Sequence, residues 1–490
     1  MSEWLELSPP SFAERDTLKT TESQRTPRGS ARGAVSPLFR PSVLSVLSVD
    51  NQKAAMDFYD ELTARGLVHQ TTDDGLGKWL AERPRAVNAG IDPTADSLLV
   101  GSLLGLIVLR RFQQAGHRPI AVVGGATGMI GDPSGKSAER NLLTKEQLAA
   151  NVEGIATQMR RFLDFDTDDN AALLVNNHDW TGGWSYLEFL RDIGKNFPVN
   201  VMLQKDSVKS RLGRADGGKG DSDAAAGMSY TEFSYMLLQA YDFVHLAENE
   251  GCELQAGGSD QWGNITAGID LARRMHGRQL YGMTWPLLTK GDGTKMGKTE
   301  SGAIWLDAER TSPYEFYQYW VNVDDADVGG CLRMLTDVSL DELATLDAER
   351  TENAAARTSQ KRLAEALTEL VHGAAGLQVA RRATDVFFGG AEVEGLDDRV
   401  LGQLFADVPA GESPRASREG TGLPIVDALV ASGLAKSKGD ARRTVEQGGA
   451  YVNNRRVEGL DRSLTAGDLA SETVMVLRSG RKRYALLRFR

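Results

Sequence analysis

At 490 residues the chain is too long for one ordinary domain and ample for two or three, each with its own core. A composition of 41% hydrophobic and 25% charged residues is ordinary for a globular protein, and a formal charge of −11 excludes a chain that coats nucleic acid over its whole surface. Two cysteines, Cys252 and Cys331, exclude a disulfide framework and a Cys-rich zinc site, and they fit a reducing, cytoplasmic compartment.

Residues 1–54 are rich in Ser, Pro, Thr and Arg and predict a disordered extension. Their one apolar patch, Val43 to Val49, is interrupted by Ser, and no run anywhere approaches the roughly 18 to 20 apolar residues of a membrane span. Met56 opens a more domain-like sequence, so a start there with a miscalled upstream stretch is an equal reading. From 55 to 305 short apolar runs alternate with helical patterns. Ala121 to Val123, Leu173 to Val175 and Cys252 to Gln255 each end in Gly or Asn, as parallel strands do whose carboxyl ends carry ligand-binding loops. Leu103 to Gln114 and Glu232 to His245 read as helices, and Gly217 to Gly227 as a flexible surface insertion.

From 306 to 408 the strand runs stop and amphipathic helices take over, most plainly over Thr358 to His372. Residues 409–421, rich in Pro, Gly, Ser and charge, predict a linker. From Gly422 to Arg490, 13 Lys/Arg against 7 Asp/Glu leave a balance of +6, a basic module on an acidic body.

Gly131-Asp-Pro-Ser-Gly-Lys-Ser137 imitates a P-loop, but a Walker A motif needs a glycine where Ile130 stands. More informative are Asp92-Pro-Thr-Ala-Asp-Ser-Leu-Leu-Val-Gly-Ser102 and Lys295-Met-Gly-Lys-Thr299, which resemble the two ATP-handling signatures of class I aminoacyl-tRNA synthetases. Four more blocks come in the same order: Arg110 to Pro119, Val123 to Pro133, Thr231 to Phe243 and Gly257 to Asn264. Together they resemble the bacterial tyrosyl-tRNA synthetases from Asp57 to Arg490.

That resemblance implies a Rossmann-like α/β catalytic domain, a helical anticodon-side domain and a C-terminal S4-like α+β RNA-binding domain, in a cytoplasmic homodimer. The implied activity is tyrosine-tRNA ligase. ATP activates L-tyrosine to tyrosyl-adenylate, and the tyrosyl group passes to tRNA(Tyr). Mg2+ accompanies ATP as a substrate, with no protein-bound metal or prosthetic group and no membrane partner. Positioning and charge stabilisation supply such catalysis without an enzyme nucleophile.

Matched position by position, Asp132, Tyr235 and Gln239 fall around the amino group of tyrosine, Asp242 at its phenol, Asn88 beside the phenol, and Asp92 on the amino acid. Tyr235, Gln239 and Asp242 run i, i+4, i+7 and share one helix face, which by spacing alone is also an ordinary polar surface. Pro93, Leu99, Gly101, Ser102, Asp260 and Lys298 match nucleotide-binding positions. Thr94, Lys295, Lys298, Lys136 and Arg140 match residues that gather the charge of the leaving pyrophosphate. In the tail, Lys436, Lys438, Arg442, Arg443, Arg455 and Arg456 match tRNA-binding positions on a helix-turn-helix followed by a hairpin, a basic surface suited to folded RNA.

The sequence departs from the family pattern at three places. Leu99 and Ser102 stand where the first signature carries histidines, and none of the six histidines of the chain lies in that motif. Asn88 stands where a tyrosine usually shares the phenolic hydroxyl. One lost charge-stabilising donor costs about 10² to 10³ in rate. An alternative function is therefore a catalytically impaired paralogue that binds RNA or regulates, or an enzyme that activates a tyrosine analogue.

Overall fold

A computed structural model describes residues 56–134, 143–209, 228–299, 302–406, 408–480 and 483–490. The N-terminal extension, the Gly217 to Gly227 tract and residues 135–137 of the P-loop-like stretch lie outside the described residues.

Six strands form the first sheet: β1 (Gln70–Thr71), β2 (Ala86–Ile91), β3 (Arg118–Val123), β4 (Leu173–Asn176), β5 (Cys252–Gly258) and β6 (Tyr281–Trp285). They are ordered β1-β6-β5-β2-β3-β4, with β1 antiparallel to β6 and the other pairs parallel. The apolar runs at Ala121, Leu173 and Cys252 thus fall on β3, β4 and β5. Such runs suit this sheet because its central strands are covered on both faces. The chain goes from β2 outward through β3 and β4, then returns to lay β5 on the other side of β2. That reversal leaves a crevice at the carboxyl ends of β2 and β5, the place where open α/β sheets bind ligands.

Two helices bring the recognition positions to this crevice. Val100–Gln114 buries Val100, Leu103, Leu104, Leu106 and Ile107 in the main core and points its amino end at the crevice. Tyr230–Asn249 is capped by Ser229, whose hydroxyl accepts from Glu232 N, and it buries Phe243, Val244 and Leu246 on the side away from the site.

Between 313 and 404 every described element is helical, as the sequence pattern predicts. Pro313–Val321 begins with a full capping box of Ser312 and Glu315. The Thr358 helix is regular to His372, where Gly373, at φ 72° and ψ 175°, breaks it before the chain continues helically to Thr384.

After β6 the short strands β7 (Lys298–Thr299) and β8 (Gly302–Ala303) pair antiparallel, and the last part of the chain holds a five-stranded sheet. Its strands, in the order β12-β11-β14-β15-β9, are β9 (Ala410–Ser413), β11 (Ala450–Val452), β12 (Arg455–Arg456), β14 (Val474–Ser479) and β15 (Arg483–Phe489). A small pair, β10 (Leu423–Pro424) with β13 (Ser463–Leu464), closes one side. The helices Ile425–Ala431 and Lys438–Glu446 precede the β11–β12 hairpin, whose turn residues Asn453 and Asn454 sit at φ 49° and 65°. Two left-handed residues match the twist of a two-residue hairpin, and Asn tolerates them.

The predicted linker is corrected by this sheet. Residues 410–413 form β9, parallel to β15, with Leu486 N donating to Pro409 O and Arg490 N to Ser413 O. Gly411 serves close packing there rather than flexibility, since a Cβ would stand 2.1 Å from Ala431 O. Composition could not reveal this edge strand, because it is held by backbone pairing and carries no apolar alternation.

Candidate functional site

Two adjoining cavities occupy the crevice. One, of about 260 Å³, is polar and is lined by Asp92, Asp132, Tyr235, Gln239 and Asp242 together with Asn88, Thr94 and Ser102. Its neighbour, of about 370 Å³, has a more apolar wall including Leu99, Gly101, Leu106, Met159 and Leu288, with Asp260 and Lys295 at its rim. Gly90, Ile91, Ser102, Gly258 and Trp285 line both. The sequence-matched positions therefore separate into a hydrogen-bonding chamber and a chamber suited to a flat apolar group.

Tyr235, Gln239 and Asp242 reach the polar cavity from one face of a single helix. Asp242, only 5% exposed, accepts from Asn177 Nδ2 at 2.9 Å and from Trp180 Nε1 at 2.8 Å. Burial pushes its carboxyl up to about 7 against the opposing pull of those two donors, with the nearby Asp92 carboxylate adding to the rise. Asn177 is itself fixed by Ala126 N, 2.7 Å from its Oδ1, and also donates to Thr127 Oγ1. Thr127 Oγ1 donates to Asp92 Oδ1 at 2.7 Å, and Tyr235 Oη to Asp92 Oδ2 at 2.9 Å. A continuous hydrogen-bonded line thus joins Asp242 to Asp92 and Tyr235. Gly124 leaves room for it, since a Cβ there would stand 2.2 Å from Asp92 Oδ1.

On the other side, Asp132 accepts from Gln261 Nε2 at 2.6 Å and from Ser134 N at 2.9 Å, while Gln239 Oε1 accepts from Asn264 Nδ2 at 3.0 Å. Carboxylates and oriented carbonyls in so small a volume suit a cationic ammonium, and Asp242 offers an acceptor to a hydroxyl. Sequence matching alone missed the supporting residues Thr127, Asn177, Trp180, Gln255, Gln261 and Asn264. The signal for Thr127, Gln261 and Asn264 was present in the Val123 and Gly257 blocks, and that for Asn177 in the Asn pair at the end of β4; Trp180 and Gln255 carried none.

Asn88 differs from expectation. It lies on the cavity wall, but its amide donates to Cys252 Sγ and Leu254 O, and its oxygen accepts from Gln255 Nε2 at 3.0 Å. Those bonds commit it to β5 and leave Asp242 without a bond from it. Pro93 lines neither cavity; its carbonyl accepts from Asn151 Nδ2 at 3.0 Å.

The two signatures meet through backbone. Val100 N donates to Ile304 O, Leu306 N to Leu98 O, and Ile304 N to Gly297 O. Gly297, at φ 84°, packs so closely that a Cβ would stand 3.1 Å from Val100 Cβ, and its N donates to Tyr319 Oη at 2.8 Å. Met296 is buried beside Cys331, 3.5 Å between sulfurs, so the Lys295 loop is anchored to the helical region. Lys295 is exposed. Lys298 pairs through its backbone with Ala303, its side chain lying outside the described residues along with Lys136 and Arg140. Leu99 is the N-cap of its helix and offers no side-chain cap bond, so the first amides, including those of Gly101 and Ser102, keep no side-chain acceptor from it.

In the tail, Lys436, Lys438, Arg442, Arg443, Arg455 and Arg456 are all exposed. Arg456 folds back to the end of the Lys438–Glu446 helix, where a Cβ on Gly448 would collide with its Nη2 at 1.7 Å. The helix and hairpin cations therefore adjoin. Three of them are in surface ion pairs, Lys438 with Asp427, Arg443 with Asp440 and Arg455 with Glu392, which solvent screens.

Residues 80–389 match the class I tRNA synthetases for Trp and Tyr, and residues 401–487 match the C-terminal domain of tyrosine-tRNA ligases. The tyrosine-tRNA ligase of Rhodopirellula baltica is 57% identical over 90% of this chain and 98% of its own length, and that of Roseiflexus castenholzii 52% over 88% and 98%. The crystal structure of a C-terminally truncated mitochondrial tyrosyl-tRNA synthetase from Aspergillus nidulans superposes with a TM-score of 0.60 at 30% identity, covering 68% of this chain and 94% of that one. Continuous from the sheet to the basic tail, the chain belongs to the tyrosine-tRNA ligase family of class I synthetases.

Proposed function

We propose that this protein is a tyrosine-tRNA ligase that condenses L-tyrosine with ATP and transfers the tyrosyl group to tRNA(Tyr). The observation that carries the reading is the pair of adjoining cavities, one polar and rich in carboxylates, the other apolar with Lys295 at its rim. Asp132, Tyr235 and Gln239 receive the ammonium group and Asp242 the phenol. The amino-acid carboxylate then faces the nucleotide cavity, attacks the α-phosphorus, and expels pyrophosphate. Thr94, Lys295, Lys298, Lys136 and Arg140 gather the charge on the leaving group, and Mg2+ enters with ATP as part of the substrate. Asp260 takes the ribose, and Leu99, Gly101 and Ser102 border the nucleoside. Lys436, Lys438, Arg442, Arg443, Arg455 and Arg456 hold the tRNA backbone.

Support for a homodimer comes from exposed apolar side chains at Tyr186, Leu187, Val199, Val201, Leu203 and Tyr230, with Leu187 75% exposed. Among the described residues no helix is long and apolar enough to cross a membrane, and a cytoplasmic site fits the two unpaired, buried cysteines. Tyrosine-dependent exchange of pyrophosphate with ATP, followed by charging of tRNA(Tyr), tests the function. Activity well above a Lys298→Ala control is expected, and exchange no greater than that control overturns it. Wild type should sediment as a dimer and Leu187→Asp as a monomer; a monomeric wild type would remove the dimer, and a dimeric Leu187→Asp would remove this patch as its interface.

A further inference from the structure

Trp285 ends β6 in register with Gly258 of β5, is 8% exposed, and lines both cavities. Of the five residues shared by the two chambers, Gly90, Ile91 and Gly258 bring no polar side chain. Ser102 and Trp285 alone carry side-chain donors at the seam. The indole extends from Gly258, with Nε1 3.8 Å from where a Cβ would stand, to Gly105 on the Val100–Gln114 helix, where a Cβ would meet Cζ2 at 3.1 Å. A glycine within the second turn of a helix is locally unfavourable by about 1 kcal/mol, and here it makes room for the ring.

A buried tryptophan N–H usually finds an acceptor. This one donates to no described residue, and protein atoms do not close it off. The reaction joins a carboxylate in one chamber to a phosphorus in the other, so the reacting atoms lie at the seam. Leu99 has meanwhile removed one donor from the nucleotide side.

Resting on the ligase reading, we propose that Trp285 is a substrate-contacting residue whose indole N–H donates to a nucleotide oxygen at the seam of the two cavities. That oxygen belongs either to the α-phosphoryl group or to the ribose. The bond tightens as negative charge builds on the phosphoryl group in the first case, and it orients the sugar in the second.

Trp285→Phe keeps an aromatic wall and removes the donor. In pyrophosphate exchange it should lower kcat/KM for ATP about tenfold to a hundredfold, the range for a bond to a charged group, while KM for tyrosine moves less than threefold. With 2′-deoxy-ATP and 3′-deoxy-ATP, a penalty that vanishes with one nucleotide assigns the bond to that hydroxyl, and one that persists with both assigns it to the phosphoryl oxygen. ATP alone should change the tryptophan emission of the wild type and not of Trp285→Phe, which reads the contact without turnover. Gly105→Ala crowds the ring in place and should reproduce the ATP defect should the Phe variant fold poorly. A kcat/KM within twofold of wild type together with an unaltered ATP-dependent emission change would overturn the proposal while leaving the ligase reading intact. Wild-type protein without tyrosine-dependent exchange would instead overturn that reading.

Discussion

Asp242 gives the sharpest quantitative test, because its environment opposes the charge its proposed role requires. Burial raises its carboxyl from 3.8 to about 7, although Asn177 and Trp180 both donate to it. At 1.36 kcal/mol per pKa unit, the folded protein resists this ionisation by roughly 4 kcal/mol. The folded state therefore holds a proton that the unfolded chain has already lost between pH 4 and 7. The stabilisation is complete below pH 4, is lost as pH rises through the window, and levels off above 7. Asp242→Asn has no such proton, so its stability should lack this descent. It has its own constant cost of about 1 to 3 kcal/mol, because one amide oxygen cannot serve both donors as two carboxylate oxygens do. Urea denaturation of the two proteins at fixed pH from 4.5 to 8 measures the difference, and wild type should lose roughly 3 kcal/mol more than the variant. In wild type, kcat/KM for tyrosine should also climb toward pH 7 and then flatten, since the ionised carboxylate accepts a phenol more strongly. Parallel stability curves for the two proteins would refute the assignment of a proton to Asp242 in this range.

Three further outcomes are expected. Leu99→His should raise the rate of adenylate formation on the order of tenfold or more, about 1.4 kcal/mol per decade, with little change in KM for tyrosine; an unchanged rate in a folded variant would mean the nucleotide cavity works differently. Tyr319→Phe removes the acceptor of Gly297 N and should slow pyrophosphate exchange several-fold through about 1 kcal/mol of lost loop anchoring, again sparing KM for tyrosine; wild-type kinetics would show that the loop is held without it. Arg442→Glu with Arg443→Glu should raise KM for tRNA at least tenfold and leave exchange untouched, and normal charging would take the basic tail out of the mechanism. Charge reversal is preferable to deleting residues 422–490. Ala383 and Val386 share a buried cluster with Val474, Val476 and Leu486, so truncation would expose core.

What could be read from the sequence was whatever repeats locally. Tyr235, Gln239 and Asp242 share a helix face because 3.6 residues per turn places them there, and the runs at β3, β4 and β5 declare themselves by uninterrupted apolar content. What escaped was contact between distant segments. Asn177 and Trp180 stand more than sixty positions from the Asp242 they hold, and Asn88 is turned away by Gln255 on a neighbouring strand. Gly411 resembles a hinge in composition and proves to be a close approach.

The same distinction explains how the first ATP signature can lose both histidines and keep its shape. Leu98 and Val100 are positioned by backbone bonds to Leu306 and Ile304, and Gly297 is tied into the same ladder through Ile304 N. None of those bonds involves the side chain of Leu99 or Ser102, so exchanging them removes chemistry without removing the frame. A buried backbone pair resists substitution because every residue except proline supplies the same N–H and C=O. The frame carries Gly101 and Ser102 to the nucleotide cavity and brings Gly297 against Val100 whichever side chain occupies position 99. A histidine restored there would accordingly meet a site already in register, which is why its effect should fall on the rate of activation and not on the binding of tyrosine.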